Sequence, residues 1–130
     1  VKDLTSLRKG KNQTMARDDR LRVFALWISY ILQEKVESIL CLQDGRRLAK
    51  FFENLSGLQV DGINDNPGTQ QDNEENVRKV FEAIERSGIS LAALTCSDEE
   101  VIEGDQDMML SLIWDLTDYF FISPQFPSSS

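Results

Sequence analysis

The stretch DDRLRVFALWISYIL, residues 18–32, decides the fold. Within it Leu21, Phe24, Ala25, Ile28, Ile31 and Leu32 recur at steps of three and four, the spacing of one helical face. Val23, Trp27 and Tyr30 widen that stripe, which predicts a helix set deeply in its domain. Asp18 and Asp19 open it, where carboxylates meet the positive end of the helix dipole.

Reading outward, Asp44-Gly45 marks a turn or helix entry, and Leu48, Phe51, Phe52 and Leu55 repeat the helical spacing until Ser56-Gly57 stops it. Residues 58–73, LQVDGINDNPGTQQDN, hold two glycines, a proline and many Asx residues, and are expected to form a long surface loop. Asn73 or Glu74 should then open a third helix with Val77, Val80, Phe81 and Ile84 inside and Ser87-Gly88 at its close. Ser97 and Glu100 stand at capping-box spacing, which predicts a short helix ending near Gly104. Met108, Met109, Leu112, Ile113, Leu116, Tyr119 and Phe120 define a last helix over residues 106–122, about 25 Å long. No segment sustains a period of two, so the expected class is all-α, with four main helices and short connecting ones. The expected organisation is a basic, irregular arm over residues 1–17, a domain over residues 18–122 and a Pro/Ser tail over residues 123–130.

The 130 residues are 41% hydrophobic and 28% charged, a globular composition for one core. No apolar run approaches the roughly 20 residues of a membrane span, and no greasy leader opens the sequence, so neither membrane insertion nor secretion is expected. The chain begins at Val1 and reads as part of a longer protein. Its net charge of −8 is uneven: residues 1–22 carry seven basic and three acidic side chains, the other 108 carry seven and 19. A basic arm on an acidic body argues against nucleic-acid binding, since the body repels phosphates.

Chemistry finds little to work with. Histidine is absent, which removes the commonest general base and zinc ligand together. Cys41 and Cys96 lie in apolar surroundings and are read as two buried free thiols. Glu99, Glu100, Glu103, Asp105 and Asp107 are dense but lack a nucleophile or oxyanion site beside them, and read as solvated helix ends. Counting from Asp61 or Asp65, the glycine of a calcium loop would fall on Asn66 or Gln70, so no such loop fits. Trp27 and Trp114 stand among aliphatic residues and are expected in the core rather than as stacking platforms. No catalysis, metal or cofactor is expected.

Three blocks together resemble a calponin-homology domain: LRVFALWISYIL (residues 21–32), LQDGRRLAKFFENLSG (residues 42–57), and residues 76–114, which begin NVRKVFEAIERSGISL and continue through EEVIEGDQDMMLSLIW. The signature positions are Trp27, Asp44, Gly45, Leu55, Gly57, Asn76, Val77, Gly104 and Trp114. The resemblance implies a non-enzymatic cytoskeletal binding module in the cytoplasm, of the actin-binding type. It places F-actin contacts on the arm and first helix, at Lys9, Lys11, Arg17, Arg20 and Arg22, with Gln33 and Lys35 farther along. Arg46, Arg47 and Lys50 form a second basic patch that suits microtubules. Where actin-binding members carry a basic approach to the Asn-Val helix, this chain has DNPGTQQDNEE, residues 65–75. That acidic stretch favours another reading, a regulatory module binding a non-filament protein.

Overall fold

The computed structural model describes residues 17–122. Their order is α1 (Arg17–Leu32), a 3-10 turn (Ile39–Asp44), α2 (Arg46–Ser56), α3 (Gln70–Arg86), a second 3-10 turn (Leu91–Ala93), α4 (Asp98–Glu103), α5 (Gln106–Thr117) and a π-helical turn (Asp118–Ile122). The described residues are all-α, with four main helices and short connecting elements between them. Of the arm expected over residues 1–17, residues 1–16, with Lys9 and Lys11, lie outside the described residues, as do the tail over residues 123–130 and the side chain of Arg17, whose backbone opens α1.

The predicted stripes meet in one core. Ile28 and Leu32 of α1, Leu48, Phe51 and Phe52 of α2, Val77, Val80 and Ile84 of α3, and Ile113 and Leu116 of α5 are all fully buried. The expected capping box forms: the Ser97 hydroxyl accepts the Glu100 amide while the Glu100 carboxylate accepts the Ser97 amide. Gly104 ends α4 at φ 80°, and a Cβ there would lie 3.0 Å from Gln43 Nε2.

The structure corrects several boundaries. The third helix begins at Gln70, not at Asn73 or Glu74, because the Thr69 side chain accepts the Asp72 amide and caps a fully polar first turn. The loop before it is correspondingly shorter, and Val60 within it is buried, its amide held by Glu53. Residues 39–44 form a 3-10 turn capped by Ser38, which puts Ile39 and Leu42 in the core. The last helix changes pitch after Thr117, where five residues take π-helical form. That turn splays three rings: Phe120 packs edge-on to Phe52, Phe121 edge-on to Trp27, and Tyr119 lies against Phe120.

Two aromatic expectations change as well. Trp114 is buried, but Trp27 is only partly so, and Tyr30 stands 66% exposed rather than widening the buried stripe. Both cysteines are free; Cys96 is buried and Cys41 half-buried. Burial pushes the Cys96 thiol up to about 12 and the Cys41 thiol to about 11.

Candidate interaction surface

The signature residues around α2 are structural. Asp44 Oδ1 accepts the Arg47 amide at 2.9 Å and so satisfies a donor in the first turn of α2. Gly45 sits at φ 72°, and a Cβ on it would come within 2.3 Å of Asn76 Cβ, so only glycine lets this corner lie against α3. Asn76 is 1% exposed and uses both ends of its amide. Nδ2 donates to the carbonyls of Asp44 (3.1 Å) and Asn64 (2.9 Å), and Oδ1 accepts the Asn64 amide at 2.8 Å. One side chain thereby ties two connections to α3.

With the inner faces committed, what remains to act is surface. The outward face of α1 carries Arg22, Leu26 and Tyr30, with Gln33 just past its end, all exposed, Leu26 at 68% and Tyr30 at 66%. At about 100° per residue this row lies opposite Phe24 and Ile28. Trp27 flanks it, stacked on Tyr30 with ring centroids 5.8 Å apart and edge-on to Phe121 at 5.2 Å. Phe121 is itself 49% exposed. Leu26, Tyr30, Phe121 and the rim of Trp27 thus form an apolar patch running from α1 onto the final turn. Grouped exposed apolar side chains of this kind mark interaction sites far more often than scattered ones.

The sequence reading missed Leu26 and Phe121 and placed Tyr30 on the wrong face. The signal was present: Leu26 lies about 160° around the helix from Ile28, outside any stripe centred on the core.

The basic residues do not gather into one cluster. Arg20 and Arg22 point to different sides of α1, about 160° apart. Arg22 pairs with Asp19, while Arg20 is half-buried and its Nε has no hydrogen-bond partner among the described residues. Gln33, at φ 61°, reaches back to the Tyr30 carbonyl, and Lys35 pairs with Glu37 at 3.5 Å. In the second patch Arg47 donates to Glu34 at 2.7 Å and to Asp44 at 2.9 Å, and Arg46 lies 3.9 Å from Asp44. The Arg47 hydrogen bond holds the Glu34 carboxyl below its ordinary range. Lys50 is exposed and makes no ion pair among the described residues.

Among the described residues no group of three or more Cys, Asp or Glu side chains converges as a metal site, and no helix is long and apolar enough to cross a membrane. A family model, the calponin homology (CH) domain, matches residues 18–122. The chain belongs to the calponin homology family. The match begins one residue inside α1 and ends with the final turn, so it spans every element described above. As a CH domain the chain is a protein-binding module of the cytoskeletal kind; of the positions that carry the resemblance, Gly45 packs on Asn76 and Trp114 lies in the core.

Proposed function

We propose that this CH domain contacts F-actin through the outward face of α1 and the basic stretch preceding it, without enzymatic activity, as a cytoplasmic, cytoskeleton-associated part of a larger protein. The observation that carries the reading is the exposure of Leu26 and Tyr30 beside Arg22 on one unpacked helical face, with Gln33 just past its end. An interface core is commonly a large apolar or aromatic anchor ringed by polar groups. Lys9, Lys11, Arg17, Arg20 and Arg22 add positive charge on the N-terminal side, and Lys35 lies past the other end. They steer association with an acidic lattice more than they hold it. Reversing Lys9, Lys11, Arg17 and Arg20 to glutamate should reduce pelleting with F-actin steeply at low salt; unchanged pelleting would dispose of the charge contribution.

A second reading, binding to a non-filament protein, is favoured by a specific observation. Arg22, Lys35, Arg46 and Arg47 each already meet a carboxylate of the same chain, which leaves less free charge for an acidic filament. The same pairing weakens the microtubule assignment to Arg46, Arg47 and Lys50. Pelleting with F-actin and with microtubules at two salt concentrations separates the three.

A further inference from the structure

The turn after α3 faces the end of α5 and the start of the final turn across a cleft of about 350 Å³ that shares no residue with α1. Its floor and walls are apolar where Ile89 and Leu94 line it, and Tyr119 contributes an aromatic ring. Gly88 borders it with open space where a Cβ would stand. Ser90 and Ala93 share the wall, two carboxylates three residues apart, Asp115 and Asp118, complete the lining, and no cationic side chain shares it. Asp115 Oδ2 accepts the Thr95 amide at 3.1 Å, so this carboxylate is oriented by the backbone beside it. The Asp118 carboxylate has no hydrogen-bond or ion-pair partner among the described residues.

The combination is selective by charge and by shape. The chain's net charge of −8 draws cations toward such a cleft, and an apolar wall with an aromatic ring suits an alkyl stem ending in a flat cation. A guanidinium meets all three features, since it donates to carboxylates in a fork and lies on aromatic faces. A second hollow of about 180 Å³ shares Leu94 and reaches Asp98. An extended segment crossing Leu94 therefore has room for more than one side chain, which a free small cation would not use.

We propose that this cleft receives an arginine side chain from a basic segment of a partner protein, at a surface separate from the face of α1. The proposal does not depend on F-actin binding. The test titrates the isotope-labelled 130-residue chain with the blocked tripeptide acetyl-Ala-Arg-Ala-amide, followed by amide chemical shifts. The same peptide with citrulline in place of arginine, which has nearly the same shape and no charge, is the control. The arginine peptide should shift the amides of residues 88–95 and 115–119 along a saturable curve, with the citrulline peptide at least tenfold weaker. Asp118→Asn should weaken the arginine peptide at least fivefold while leaving the melting temperature unchanged. Equal responses to the two peptides, shifts centred elsewhere, or no saturable response would each overturn the proposal, whatever the variant does.

Discussion

The indole N–H of Trp27 donates to Oγ1 of Thr117 at 2.9 Å, joining side chains 90 positions apart at the seam between the first and last helices. Thr117 is fully buried, so its hydroxyl has no water to fall back on. The bond adds to the burial of Phe24, Ile28 and Leu32, which turns Leu26 and Tyr30 outward. Thr117→Val should cost about 1 kcal/mol by leaving the indole donor without its partner. Trp27→Phe should cost more through lost packing, and the double mutant should show a coupling near the same 1 kcal/mol in denaturant unfolding.

Gly45 and Gly57 share left-handed backbone but not surroundings, and they should respond differently to the same substitution. A Cβ at Gly45 would collide with Asn76 Cβ and the Val77 amide, whereas at Gly57 nothing lies within 4 Å. Gly57→Ala should lose about 1–2 kcal/mol from backbone strain alone. Gly45→Ala should lose clearly more, about 3 kcal/mol or above, because α3 must move. Equal losses would mean that the corner is not tightly seated on α3.

Asn76 is the one buried amide side chain among the described residues, and its three hydrogen bonds hold the segment before α3. Asn76→Ala should destabilise the domain by about 3 kcal/mol, since it orphans backbone groups at Asn64 and Asp44 together. Hydrogen exchange should show the Asn64 amide losing protection well before the core helices do.

These positions show which features the sequence could declare. The four long helices were legible because their apolar residues repeat at the period of a helix, and the caps at Ser97 and Gly104 because capping chemistry is local. The start of α3 was not, since Gln70, Gln71 and Asp72 offer no apolar residue to mark a face and only the Thr69 side chain fixes the boundary. The turn over residues 39–44 is apolar without a period. Tyr30 is exposed although it follows Trp27 at helical spacing, because an aromatic residue at the stripe's edge can turn its ring to either side. The pairing of Arg47 with Glu34 depends on two elements meeting in space, which no spacing along the chain announces.

The two thiols give the domain a dependence on alkaline pH. An ordinary cysteine ionises near pH 8.5, but burial raises Cys41 to about 11 and Cys96 to about 12. Between those limits the unfolded chain releases protons that the native chain retains, so stability is full below about pH 8.5 and falls as pH rises toward 11–12. Melting temperature should therefore decline from pH 8 to pH 10.5, and the decline should lessen in Cys96→Ala once its lower baseline is allowed for. At pH 8 a small alkylating reagent should modify half-buried Cys41 slowly and Cys96 only after unfolding.

Under the proposed function, the exposed face of α1, with Leu26 and Tyr30 at its middle, holds F-actin. The most direct measurement is co-sedimentation of the 130-residue chain and its Leu26→Ser/Tyr30→Ser double variant with F-actin. Both side chains are mostly exposed, so the variant should stay folded, its melting temperature lowered only by the loss of the Tyr30 ring from Trp27. The parent should pellet in a saturable manner, and the variant should lose at least tenfold in affinity. A parent that stays in the supernatant, or a variant that pellets as well as the parent, would contradict the proposed function.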